Sequence, residues 1–379
     1  MLPARTLPFA VLMTSFLAGA FATAQQPVKN PETQAATLLE RSWHSHSVPA
    51  LSAAVAFKGK IVFSHSWGFA DLDNLVPATP ATVYNIGSIS KLHTAIAVMK
   101  LWEQKKIALE DPVQKYVPGF PDKGVTITIQ HLLTHTSGIR HYRAGDFPGP
   151  KDTENMRPCA SLDDGIAIFK NDPLLFKPGA YYFYSSYAVN LLQGVIEKAG
   201  GMPFEDFLRQ HVWAPAGMLS TALDRPERIV PHRARSYRVD KGQMVNEPFG
   251  DVTYKFAGGG MISTVEDLVR LGSAFNHGSL LKPTTVALMM KSQLDGIPQF
   301  RENGALDKPG FEQALMWRVQ HDAAGRRFIY HCGSVKAFVA CLVNFPDQDL
   351  VIALAANSSE GPGYRPAVEI AQYFLERGR

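Results

Sequence analysis

The stretch YNIGSISKLHTAIAVMKLWE, Tyr84 to Glu103, opens on small and polar residues and then runs apolar. Leu92, Ala95, Ile96, Met99 and Trp102 recur at helical intervals, which predicts a helix with a buried face. Ser88 and Lys91 stand at its mouth. Two readings follow. In one, Ser88 or Ser90 caps the helix and Lys91 points into water. In the other, Ser88 is a nucleophile and Lys91 its base. Residues three apart share a helix face, so Lys91 can reach the Ser88 hydroxyl. Burial and the positive end of the helix dipole would lower the lysine pKa toward a working range. The same dipole, with the free N–H groups of the first turn, favours a developing oxyanion. S-x-x-K alone is a weak pattern. A second copy, Ser279 to Lys282, runs straight into Pro283 with no long apolar helix behind it, and reads as a loop or helix start.

Working outward, strand signals cluster at the two ends of the chain. LSAAVAFKGKIVFSHSWGFAD, residues 51–71, gives two apolar, β-branched runs joined by Lys58-Gly59-Lys60, a hairpin. AFVACLVNFPDQDLVIALAAN, residues 337–357, gives two more around Pro346-Asp347-Gln348-Asp349, followed by a helix-like AVEIAQYFLERG. Near the start, NPETQAATLLERSWHSHSV reads as an amphipathic helix with Ala36, Leu39 and Trp43 on one side. From about residue 88 to 280, helical patterns, prolines and turn signals dominate. The expected fold is therefore mixed α/β: an antiparallel sheet built from both chain ends and flanked by helices, with a mainly helical lobe inserted between them, all in one domain over residues 25–379. A cleft between sheet and lobe is the natural binding site. Residues 143–164 and 294–313 read as loop-like rims.

Residues 1–24 carry a single Arg5, an apolar run from Leu7 to Phe21 and then Ala22-Thr23-Ala24, the form of a cleaved signal peptide. The run is short for a bilayer span, so no stable membrane anchor is expected after cleavage and the location reads as periplasmic or secreted. Loss of Arg5 takes the formal charge from +4 to +3, and the basic residues are scattered. That argues against nucleic acid as a partner, as does the lack of zinc-finger or Walker spacing. A small-molecule or peptide substrate is the expected partner. Three cysteines, Cys159, Cys332 and Cys341, leave at least one unpaired; pairing of Cys332 with Cys341 stays open.

Other segments are each read against a structural explanation. In TITIQHLLTHTSGIRHY, residues 126–142, Thr128 can cap a short helix that ends near Gly138. His131 and His135 are four apart, but the glutamate of an H-E-x-x-H arrangement is missing and no third ligand is evident, so both read as structural and no metal is expected. Tyr184-Ser185-Ser186 precedes an apolar helix through Leu191, Leu192, Val195 and Ile196; most of the rings from Tyr181 to Tyr184 suit a core, while one tyrosine near a lysine could move a proton. Gly258-Gly259-Gly260 suggests close backbone approach to another segment or to substrate, and Ser263-Thr264-Val265-Glu266 a capping box. His331-Cys332-Gly333-Ser334 lies beside a strand, where glycine lets a bound chain come close.

In order, SISK, HLLTHTSGI, YSS, AGGGMIST and HCGS resemble the β-lactamase-related serine hydrolases, the group of class C β-lactamases, D-Ala-D-Ala carboxypeptidases and related esterases. LWE, PVQKYVPGFP, SGIRHY, FKNDPLLFKPG and RARSY bring the chain nearest to the mitochondrial serine β-lactamase-like proteins. The resemblance implies Ser88 as nucleophile, Lys91 as general base, Tyr184 as proton-transfer partner, and the backbone N–H groups of Ser88 and Ser334 as oxyanion hole. It implies an acyl-enzyme and no cofactor. Ser186 stands where asparagine is usual, so a substrate amide would be held less well. His331, Cys332 and Gly333 replace Lys-Thr-Gly at the substrate-binding strand. Histidine is only partly charged near neutrality, and cysteine is a weaker donor than threonine. Both changes favour a peptidase or amidase over an efficient β-lactamase. An esterase, a weak β-lactamase or a non-catalytic binding scaffold are the alternatives; the natural substrate and oligomeric state are not readable.

Overall fold

The computed structural model describes residues 30–147 and 155–376, so the leader reading of residues 1–24 lies outside the described residues. Helix α1 (Pro31–His46) is followed by strands β1 (Ala50–Phe57), β2 (Lys60–Asp71) and the short β3 (Val76–Pro77). The central helix α2 (Ser90–Glu103) and helix α3 (Ser186–Gly200) belong to the middle of the chain, and helix α4 (Val265–Asn276) leads back toward the sheet. Strands β4 (Glu312–Gln313), β5 (Arg318–His321), β6 (Arg327–Val335), β7 (Phe338–Phe345) and β8 (Leu350–Ala356) precede the last helix, α5 (Arg365–Leu375). The eight strands form one antiparallel sheet in the order β4-β5-β6-β7-β8-β1-β2-β3. The two chain ends therefore meet at the β8–β1 pair, as the clustering of strand signals predicts.

The terminal strands read as unbroken apolar runs because both faces of the sheet are covered. Leu51, Ala53 and Val55 of β1 face one layer, where α1 and α5 supply Ala35, Leu39, Ala367 and Ile370. Ala54 and Ala56 face the other, with Leu268, Val269 and Leu271 of α4 and the helical lobe. The hairpin between β1 and β2 turns through Lys58 and Gly59, both at positive φ, a geometry whose twist matches the paired strands. Helix α1 is capped by Asn30 and buries Pro31, Ala35, Leu39 and Ser42 most deeply, with Ala36 and Trp43 packed at the flank.

Four sequence expectations are refined. Helix α2 is buried almost all round rather than on one face, because it runs through the centre of the lobe against α3 and residues Phe256–Gly259. Helix α4 packs on β1 and β8, so it serves the sheet rather than the lobe. Its N-cap is Thr264, whose hydroxyl accepts from Asp267 N–H at 3.1 Å, one residue later than the Ser263–Glu266 box. Residues 294–313 include a small hairpin of their own, pairing Gln299–Phe300 with Leu306–Asp307.

Gly272 sets the approach of α4 to the sheet: a Cβ there would lie 2.5 Å from Val351 Cγ1. On an open helix surface, glycine to alanine gains about 1 kcal/mol. Overpacking a core costs about 1–3 kcal/mol, so Gly272→Ala is expected to show a net loss of up to about 2 kcal/mol in denaturant melts. In the cycle with Val351→Ala the two losses should be less than additive. A stabilised Gly272→Ala would mean the helix-to-sheet distance is not set here.

Candidate active site

Ser88 sits in a 3-10 turn, Gly87–Ile89, that feeds directly into α2. The turn is pinned from outside. Tyr84–Asn85 pairs with Met261–Ser263, Ile86 N–H donates to Met261 O at 3.0 Å, and Ser90 Oγ donates to Gly87 O at 2.6 Å. Ser90, not Ser88, is thus the hydroxyl spent on local structure. Gly87 has φ 48°, and a Cβ on it would lie 2.8 Å from Ser334 N. A Cβ on Gly333 would lie 2.0 Å from Ile86 O and 2.5 Å from Ser88 N. Gly333 therefore lets the β6 backbone touch the turn that carries Ser88. This contact brings the backbone of Ser88 and Ser334 side by side, and both residues line a cleft of about 230 Å³.

Lys91 is fully buried. Its Nζ lies 2.9 Å from Ser88 Oγ, 2.8 Å from Ser186 Oγ and 2.5 Å from Gly258 O. Among the described residues no carboxylate pairs with it. Burial, with the nearby Arg318 cation adding to it, holds the Lys91 amine well below the usual lysine range. Tyr184 donates its O–H to Ser88 Oγ at 2.6 Å, and its ring lies 4.8 Å from Lys91 Nζ. Burial pushes the Tyr184 phenol up, against the opposing pull of its Ser88 hydrogen bond and Arg318. The tyrosine is a neutral donor at rest.

Each partner is placed by its element. Tyr184 precedes the N-cap Ser185, whose hydroxyl accepts from Ala188 N–H, so the phenol and Ser186 are set by the start of α3. Gly258 offers its carbonyl to Lys91 because it lies against α3, where a Cβ would meet Asn190 Oδ1 and Ser186 O, each at 2.9 Å. The glycine run thus serves close backbone approach, as its composition suggests.

The structure corrects two sequence expectations on β6. Cys332 is directly opposite Cys341 and joined to it by a disulfide, so it has no S–H to donate. Alternation along the strand also turns Cys332 toward the α1–α5 layer, away from Ser88. His331 does face the site, with its ring 6.3 Å from that of Tyr184 and its Nδ1 2.7 Å from Cys332 O. Burial, then Arg318 and Lys91, holds it well below the usual histidine range, so it is neutral rather than partly charged. The cation of this corner is Arg318, one strand over at the position paired with Tyr330. Its guanidinium lies 4.5 Å from the Phe311 ring and 5.8 Å from the Tyr184 ring, and its buried Nε has no hydrogen-bond partner. No local pattern marks Arg318 in the sequence; only the sheet brings it here.

His131 and His135 both have structural partners. His131 closes a capping box with Thr128. His135 turns the chain at φ 57°, and its Nδ1 accepts from Ser185 N–H at 3.3 Å. The second S-x-x-K lies elsewhere, with Lys282 as N-cap of helix Pro283–Met290.

Comparison with known proteins identifies the family. The Beta-lactamase family model matches residues 35–373. The chain is 33% identical to the human mitochondrial serine beta-lactamase-like protein LACTB, over 82% of this chain and 71% of that protein. It is 34% identical to the bovine protein of the same name, over 64% of this chain, and spans 56% of the bovine length. The octameric penicillin-binding protein homologue from Pyrococcus abyssi superposes with a TM-score of 0.76 at 26% identity, covering 90% of this chain and 77% of that one. The chain belongs to the Beta-lactamase family of serine hydrolases.

Proposed function

We propose that this protein is an exported serine hydrolase that cleaves a peptide or amide bond through an acyl-enzyme on Ser88. The observation that carries the reading is the placement of Ser88 Oγ between an uncompensated buried lysine at 2.9 Å and a tyrosine hydroxyl at 2.6 Å. A neutral Lys91 has two N–H bonds and one lone pair. Gly258 O can only accept, and Ser186 Oγ accepts the second N–H, so the lone pair is left for the Ser88 proton. Ser88 Oγ attacks the substrate carbonyl as its proton passes to Lys91. The oxyanion is held by the Ser88 and Ser334 N–H groups. The proton then returns through Tyr184 to the leaving nitrogen, and water releases the acyl group. No metal or cofactor takes part in these steps.

Arg318 gives the substrate its polarity. With His331 neutral, the guanidinium is a cation beside the reacting groups, joined by Lys255 and Lys336 of the cleft lining, and its aromatic enclosure strengthens its attraction to an anionic end of the substrate. The favoured substrate is therefore a peptide or amide with a carboxylate beyond the scissile bond. The Cys332–Cys341 disulfide favours an oxidising compartment, periplasmic or secreted.

Intact-protein mass after treatment with a fluorophosphonate tests the chemistry. An adduct is expected on the wild type and none on Ser88→Ala; equal labelling of both would defeat the reading, and no labelling of either folded protein would favour the binding scaffold. Turnover of a carboxylate-ended peptide against its amide-capped twin tests the polarity. Arg318→Gln should lower the kcat/KM ratio of the pair by roughly tenfold to a hundredfold. An unchanged ratio, or dominant turnover of a short ester, would count against the acidic peptide.

A further inference from the structure

His141 is outside the Ser88–Lys91–Tyr184 set, yet it lines the same cleft. Its ring is held on three sides. Nδ1 accepts the Ser186 backbone N–H at 3.1 Å, the Tyr142 ring lies 4.2 Å away by centroid, and the Tyr184 ring meets it edge-on at 5.5 Å. The backbone beneath it is equally fixed. Ser185 Oγ donates to Arg140 O at 2.7 Å, and Arg140 donates to His141 O at 2.9 Å. Arg140 itself is locked by Asp146 at 2.7 Å and Asp172 at 2.6 Å.

These constraints settle the tautomer. An Nδ1 that accepts from a backbone N–H carries no proton, so the neutral ring carries its proton on Nε2. The charged groups around the ring keep it neutral. Burial, Lys91 and Lys255 push His141 down to about 3, with Arg140 in the same sense and Asp146 opposing. With Nδ1 turned to the start of α3, Nε2–H is the edge left for the cleft. It can only donate, and it cannot serve as a base.

We propose that His141 is a specificity-determining residue whose Nε2–H donates to the carbonyl oxygen of an acylamino group on the acyl half of the substrate. Ser186 accepts from Lys91 and has only a short hydroxyl to offer, so it reaches less far into the cleft than a longer amide side chain would. The histidine, anchored to the Ser186 backbone, extends the same corner of the cleft outward and supplies the donor. A donor positioned this rigidly discriminates against an analogue that lacks its acceptor, because the polar group is then left unpaired. The assignment rests on the serine-hydrolase reading above.

Two p-nitrophenyl esters of matched chain length test it: that of N-acetylglycine, which has the amide carbonyl, and that of pentanoic acid, which does not. The readout is the ratio of their kcat/KM values in each protein. His141→Asn can still accept from Ser186 N–H but does not reach the cleft; His141→Gln can reach it with an amide N–H. His141→Asn should lower the ratio on the order of tenfold, and His141→Gln should recover part of it. Fluorophosphonate labelling of Ser88 in each variant shows that the site is intact. A ratio that is the same in wild type and in labelled His141→Asn overturns the assignment and leaves the hydrolase reading standing. Turnover of both esters that survives Ser88→Ala overturns the hydrolase reading, and the assignment with it.

Discussion

A lysine amine is sealed in the middle of the lobe with no carboxylate to neutralise it, and the arrangement of the surrounding chain follows from that constraint. An ammonium in such a place costs several kcal/mol unless paired. The protein gives Lys91 a carbonyl and two hydroxyls instead of an anion, and Arg318 adds a second positive charge nearby. The favourable state is the free amine. A buried free amine beside a serine hydroxyl can act as a base, so the packing supports the proposed chemistry.

Meeting that constraint takes four separate parts of the chain. Helix α2 and the turn that leads into it bring Lys91 and Ser88, the start of α3 brings Tyr184 and Ser186, the segment Phe256–Gly259 brings a carbonyl, and β6 brings the Ser334 backbone. Glycines make the meeting possible where backbones touch. At Gly87, Gly258 and Gly333 a methyl group would collide with another segment's backbone or a buried amide. The sheet contributes twice, by pressing β6 against the Ser88 turn and by carrying Arg318 on the neighbouring strand.

Much of this was legible in the chain. Terminal strand runs and the lysine–glycine hairpin predicted a sheet built from both ends, because strand signals are local. Ser88 and Lys91 were legible because three-residue spacing on a helix is a geometric statement. Tyr184 and Ser334 required the resemblance, since nothing in their own neighbourhoods links them to Ser88. Arg318 and His141 were not identified, because the roles proposed for them depend on which strand or loop lies beside them in space. The reading of Cys332 as a donor failed for a related reason. Strand alternation turns it to the opposite face, and its partner Cys341 becomes visible only when β6 and β7 are in register. His331 was taken as partly charged because its type was read without its burial.

The central claim is that Lys91 is uncharged at the pH where the protein works. The rate of Ser88 acylation by a fluorophosphonate, followed from acidic to strongly alkaline pH, tests it most directly. Deprotonated Lys91 is the active form, so a lowered pKa moves the rising limb toward acid. The rate should therefore reach its plateau well below the ordinary lysine value of about 10.4. A rate that keeps climbing through that ordinary range would show that Lys91 carries its proton in the folded protein, and would contradict the account.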